Sequence, residues 1–171
     1  MKHNILLEGP IVTTYYSSAI GSLYIEASED GICAVNFHDA ETAPVSQEVN
    51  KHIEGCIQQL DEYFKGERKT FDLKLVPRGT AFQKRVWNVL QDIPFGITAS
   101  YLQMSRILGD EKVIRAAAAA NGQNPIAIII PCHRVIGSDG SLTGYAGGLW
   151  RKEWLLKHEG VWPKDEQLKL F

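Results

Sequence analysis

The chain is predicted to be α+β, built as two successive domains. Three observations support this. Alternating, β-branched segments crowd the first quarter of the sequence, helical periodicity dominates most of the rest, and a Pro-Gly break at "VPRG", Val76 to Gly79, separates two regions of opposite charge. Residues 1–78 carry 7 Lys and Arg against 12 Asp and Glu, and residues 79–171 carry 11 against 8. The expected division is an N-terminal α+β domain, 1–78, and a mainly helical domain, 79–171, with a helix-turn-helix. A polyanion, if bound, belongs on the second part.

The first domain opens with "IVTTYYSS", then "LYIEAS" and "ICAVNF" around Glu29-Asp30-Gly31. Asp-Gly between two apolar runs is a strong hairpin signal. Residues Ala40 to Ser46 read as a loop. From Gln47 to Lys65 the period becomes helical, with Val49, Ile53, Cys56, Ile57, Leu60, Tyr63 and Phe64 on one face. Cys56 is therefore expected in the core. "TFDLKL" alternates as a short strand.

In the second domain Thr80 and Gln83 have capping-box spacing before Phe82, Val86, Leu90 and Ile93, and Pro94 with Gly96 ends that helix. Ser100 and Gln103 repeat the box at the head of a short helix through Leu108. Gly109-Asp110 makes a turn, and a helix follows through Arg115 and five alanines to Asn121-Gly122. Two short helices around a glycine turn are the pattern of a helix-turn-helix, although an alanine-rich helix also suits close packing on a neighbour. "GSDGSLTGYAGG" is too rich in glycine for regular structure and lets a ligand approach its backbone. A last helix spans Leu149 to His158, and the tail from Pro163 is polar.

"IIIPCHRVIG", Ile128 to Gly137, places Cys132-His133-Arg134 directly after an apolar run. Taken alone, Cys132 fits three descriptions: buried filler, metal ligand or nucleophile. No CxxC or HxxxH pair favours a metal. A nucleophilic thiol needs a base or a positive charge nearby. In a regular strand Cys132 and His133 would face opposite sides. Pro131 breaks such a ladder, and a water could bridge the two groups. Glu159 is a candidate to orient His133, because a carboxylate just before the Gly160 helix stop opposes the helix dipole and calls for another reason to be there. Three widely spaced cysteines argue against a disulfide framework. No apolar run approaches the ~18 residues of a membrane span, and the first residues lack a secretory pattern, so a cytoplasmic protein is expected.

"NPIAIIIPCHRVIG" followed by "GYAGGLWRKEWLLKHEG", together with "GTAFQKRVWNVLQDIPFGITASY", resembles the O6-alkylguanine-DNA alkyltransferases, the methylated-DNA–protein-cysteine methyltransferases. The resemblance is strong over Gly79 to Gly160 and is closest to the stand-alone bacterial form. It implies a ribonuclease-H-like N-terminal domain and a winged-helix-like C-terminal one. It also implies a cytoplasmic, monomeric DNA-repair protein acting on double-stranded DNA that carries O6-alkylguanine, with O4-methylthymine a candidate second lesion. No cofactor and no metal are implied. Cys33 and His38 alone do not make the zinc site of vertebrate relatives.

By the same resemblance Cys132 accepts the alkyl group once and for all, His133 acts on it through a water, and Glu159 orients His133. Asn124 braces the active-site turn. Tyr101 assists flipping of the nucleotide and protonates the leaving guanine. Val135, Tyr145, Ala146 and Gly147 bind the extruded base. Arg115 fills the gap in the base stack, and Ser100, Tyr101, Ala116 and Ala118 meet the DNA minor groove. Ala117, Ala118, Ala127 and Ala146 stand where relatives commonly carry Val, Gly, Pro and Ser. Two other classes are weighed: a damage-recognition module, whose known examples lack the acceptor cysteine, and a cysteine hydrolase, which would turn over repeatedly.

Overall fold

Every second residue of the strand Gly21–Ala27 is buried, and Leu23, Ile25 and Ala27 are wholly inaccessible. That alternation builds the first half of the computed structural model, which describes residues 9–39 and 49–161. Strands β1 (Val12–Ser18), β2 (Gly21–Ala27) and β3 (Ile32–Phe37) form an antiparallel meander in the order β1-β2-β3. Tyr16 pairs with Leu23, and Ile25 with Val35. The Asp-Gly hairpin forms as expected, with the Ser28 amide donating to the Gly31 carbonyl at 3.0 Å. Gly31 has φ 155°, and a Cβ there would lie 2.4 Å from the Lys74 carbonyl oxygen. Only glycine allows the chain at Lys74 to come that close.

Helix α1 (Lys51–Phe64) covers the apolar face of this sheet with Ile53, Cys56, Leu60 and Tyr63, all fully buried. Burial of an aliphatic side chain of this size contributes about 1.5–3 kcal/mol. Val49 precedes the helix and is exposed, because Asn50 is the N-cap: its side chain accepts from the Ile53 amide at 3.0 Å and donates to the Ser28 carbonyl at 3.1 Å. Cys56 is core, and burial pushes its thiol up to about 12. The "TFDLKL" segment differs from expectation: only Leu75 bridges to Ile32. The Gln59 side chain holds both backbone groups of Asp72, at 2.8 and 2.9 Å, and so occupies the groups a strand would pair. The Ala40–Ser46 loop, the Gln47 helix start and the tail from Pro163 lie outside the described residues.

The chain divides into two compact units, Met1–Pro77 and Arg78–Phe171. In the second, α2 (Ala81–Gln91) and α3 (Tyr101–Ile107) both begin with complete capping boxes, Thr80 with Gln83 and Ser100 with Gln103. A single-turn 3-10 segment, Glu111–Val113, leads into α4 (Ile114–Gly122), so the turn of the helix-turn-helix is longer than Gly109-Asp110. Asp110 caps the 3-10 segment, not the helix, through the Lys112 amide at 2.8 Å. The buried Trp87 indole donates to the Ala120 carbonyl at 2.9 Å and pins α2 to α4. Two-residue strands β4 (Ala99–Ser100) and β5 (Val135–Ile136) pair in parallel, and α5 (Leu149–His158) closes the unit. Among the described residues no helix is long and apolar enough to cross a membrane.

Candidate active site

The residues between α4 and the cysteine are apolar but form no strand. Asn124 explains why. Its amide donates to the Ile130 carbonyl at 2.8 Å, and its side-chain oxygen accepts from the Ile126 amide at 3.0 Å. The backbone inside this brace doubles back. The Ile129 amide reaches the Ala127 carbonyl at 2.8 Å around Ile128, whose φ is 72°. The Cys132 amide reaches the Ile130 carbonyl at 2.8 Å around Pro131, at φ −83° and ψ 61°. Both are three-residue γ-turns, and the first is the strained kind. A β-branched residue at positive φ costs about 1–3 kcal/mol. Ile126, Ile128 and Ile130 are each at most 1% exposed, and their burial offsets that cost.

Cys132, His133 and Arg134 then form a single 3-10 turn with all three side chains buried. His133 Nε2 lies 2.7 Å from a Glu159 carboxylate oxygen. A carboxylate only accepts, so Nε2 carries the proton and Nδ1 presents a lone pair. Nδ1 is buried and has no hydrogen-bond partner among the described residues. Arg134 completes the cluster: Nε and Nη2 donate to the two Glu159 oxygens at 2.7 and 3.2 Å, and Nη1 donates to the Ile93 carbonyl at 2.6 Å. Burial alone would raise the Glu159 carboxyl, but His133 and Arg134 outweigh it and hold it down at about 2. Burial pushes His133 below its ordinary value despite the Glu159 charge, and pushes the Cys132 thiol up, with Asn124 and Lys152 working against the rise. At neutral pH the resting site is thus a thiol, a neutral imidazole and an ionised carboxylate.

A cavity of about 500 Å³ opens between α3, α4 and the glycine-rich loop, lined in part by Tyr101, Arg115, Ala118, Asn121, Thr143 and Tyr145. Tyr101 reaches across to this loop, its hydroxyl donating to the Thr143 carbonyl at 3.1 Å. Arg115 and Ala116 are exposed on the outer side of α4, whereas Ala117 and Ala120 face the core. Ser100 is engaged as the N-cap of α3. Val135 is buried and its amide is already taken by the Cys132 carbonyl. Ala146 is exposed, and the Gly147 carbonyl accepts from Arg151 at 3.1 Å.

Three residues of the site escaped the reading of the sequence. Arg134 sits inside the quoted motif but reveals its partners only when residues 93 and 159 are brought to it. Asn121 lines the cavity, 3% exposed, with its side-chain oxygen unpartnered among the described residues. Lys152 is wholly buried. A signal for it existed, since it shares the apolar stripe of α5 with Leu155, Leu156 and Glu159. Among the described residues no three His, Cys, Asp or Glu side chains group as a metal site.

A helix-turn-helix whose second helix leads, through a braced turn, into a buried Cys-His-carboxylate cluster defines a class: a DNA-binding protein with thiol chemistry. Comparison with known proteins makes this particular. Residues 81–161 match the family model described as 6-O-methylguanine DNA methyltransferase, DNA binding domain, and residues 11–77 match its ribonuclease-like domain. The chain belongs to the methylated-DNA–protein-cysteine methyltransferase family. A relative bearing that name in Methanosarcina acetivorans is 48% identical over 149 residues, covering 85% of this chain and 96% of that one. The crystal structure of the Mycobacterium tuberculosis O6-methylguanine methyltransferase superposes with a TM-score of 0.79 at 39% identity, covering 94% of this chain and 99% of that one. The same organism's protein in complex with DNA gives 0.78 at 40% identity, over 86% and 92% of the two chains.

Proposed function

We propose that this protein repairs duplex DNA by moving the alkyl group of O6-alkylguanine onto Cys132, once per molecule. The observation that carries the proposal is the buried Cys132 at the end of the Asn124 brace, next in sequence to a bonded His133–Glu159–Arg134 cluster within the DNA-binding domain. His133 Nδ1 takes the thiol proton through a water molecule, and the ionised Glu159 stabilises the resulting imidazolium. The thiolate sulfur attacks the alkyl carbon. The S–C bond forms as the C–O6 bond breaks, and the electron pair moves into the purine. The departing guanine takes a proton from the Tyr101 hydroxyl, which is restored from solvent.

The target atom lies inside the duplex, so the nucleotide is extruded into the cavity, with Arg115 filling the stack behind it. Val135, Tyr145, Ala146 and Gly147 contact the extruded base, and Ser100, Ala116 and Ala118 meet the backbone and groove. Minor-groove readout is nearly blind to sequence, which suits a repair protein. A thioether is not hydrolysed by water, so the protein is consumed. It acts as a monomer in the cytoplasm, and O4-methylthymine is a second lesion to test.

The deciding experiment is intact mass spectrometry after mixing with duplex DNA carrying O6-methylguanine. One methyl group should appear on Cys132. A wild-type protein that gains no mass, or a Cys132→Ala variant that gains as much, would overturn the reading.

A further inference from the structure

Helix α4 is built mostly of alanine, and its one buried polar side chain is Asn121, 3% exposed. The side-chain oxygen is shut off from solvent and has no hydrogen-bond partner among the described residues. A buried amide oxygen without a donor destabilises a fold, so such atoms are rare and call for a reason. The usual local reasons do not apply. An asparagine near a helix end often adopts the left-handed conformation. Here Ile128 is the one non-glycine residue at positive φ among the described residues. An asparagine can also brace a turn, but Asn124 does that three residues further on, with its oxygen and its amide both engaged.

Asn121 does line the cavity, together with Tyr101, Ala118, Thr143 and Tyr145. The Thr143 carbonyl, another acceptor of this wall, is already taken by the Tyr101 hydroxyl at 3.1 Å. The Asn121 oxygen is thus an acceptor held without a donor beside the space that a base would enter.

We propose that Asn121 is a specificity-determining residue: its oxygen accepts a hydrogen bond from the 2-amino group of the extruded guanine. The inference rests on the alkyl-transfer reading of the site. An alkyl group on O6 leaves the neighbouring ring nitrogen without a hydrogen, and another nitrogen bears the sugar. The 2-amino group is then the only N–H donor of the base. O4-alkylthymine has none, because alkylation removes its one ring N–H and the other nitrogen bears the sugar. A lone acceptor in the wall therefore matches a guanine lesion, whereas a thymine lesion offers it only further acceptors. A site built around a hydrogen bond rejects the analogue that lacks the partner, because its own buried atom stays unpaired.

The test compares methyl transfer from three duplexes that differ only in the lesion: O6-methylguanine, O6-methylhypoxanthine, which lacks just the 2-amino group, and O4-methylthymine. Rates are read by intact mass in quenched time courses for wild type, Asn121→Leu and Asn121→Ala. The readout is the ratio of rates within each protein, which a general loss of packing leaves unmoved. Wild type should transfer from O6-methylguanine about three- to tenfold faster than from O6-methylhypoxanthine, the ordinary effect of one neutral hydrogen bond. In both variants that ratio should fall by about the same factor. The preference for O6-methylguanine over O4-methylthymine should fall with it.

Equal rates from O6-methylguanine and O6-methylhypoxanthine in wild type, or a ratio that the variants leave unchanged, would overturn the proposal. Leucine fills the place of the amide and alanine vacates it, so whichever variant folds supplies the comparison, and the wild-type ratio decides if neither does. A wild type that takes no methyl group from O6-methylguanine overturns the alkyl-transfer reading, and this inference with it. Transfer that proceeds with an unchanged ratio overturns only this inference.

Discussion

Replacing Glu159 with glutamine preserves the shape of the side chain and removes its charge. Arg134 would then be a buried cation facing one carbonyl, that of Ile93, and a neutral amide. Breaking a buried pair from one side costs about 3–5 kcal/mol. A second route gives a similar figure. The carboxyl is held at about 2 against an ordinary 4.5, which at about 1.4 kcal/mol per tenfold change amounts to about 3 kcal/mol. A folded-state value below the unfolded one means that this stability is present above about pH 5 and is lost as pH falls toward 2. The assay is urea unfolding followed by tryptophan fluorescence. All four tryptophans, Trp87, Trp150, Trp154 and Trp162, lie beyond residue 78, so the signal reports the second half of the chain. With an m-value of about 1–3 kcal/mol per molar, Glu159→Gln should lower the midpoint by about 1–3 M at pH 7. Between pH 5 and 2 the variant should lose less stability than wild type by the same amount. Equal midpoints at pH 7, or parallel acid limbs, would refute the reasoning.

Two further outcomes are expected. Asn124→Ala removes both hydrogen bonds of the brace and should cost about 1–3 kcal/mol in the same unfolding assay, with slower methyl transfer to Cys132 in a quenched time course. Arg115→Ala should slow transfer from duplex DNA far more than transfer from free O6-methylguanine, because the free base needs no extrusion; Tyr101→Phe should slow both alike if its hydroxyl donates the proton. Comparison of the two substrates by mass spectrometry checks each.

Features set by neighbouring residues were legible in the sequence. Thr80 with Gln83 and Ser100 with Gln103 form the boxes their spacing predicts, since a cap depends on groups three residues apart. Cys56 falls in the core because helical period alone places it. The Ile126–Ile130 run was ambiguous, since an apolar run reads as a strand until Asn124 takes its backbone groups into a folded turn. Arg134 and Lys152 were hidden for a related reason. Their partners lie at Ile93, Glu159 and Thr143, and a side chain that bonds across a fold leaves no period behind. Glu159 was found because it conflicts with its own helix.

The outer side of α4 presents Ala116 and Ala119, both exposed, beside a single arginine. An alanine has no side-chain rotamers to lose, whereas a lysine or arginine gives up about 1.5–2 kcal/mol of conformational entropy when it is immobilised. Docking this face against another surface therefore freezes the Arg115 side chain and little else. Contacts made by the alanines carry no charge, so the salt dependence of docking comes from Arg115 and the other basic residues of the second unit. On the proposed single-use reaction the protein has one encounter to spend, and α4 is already ordered before it.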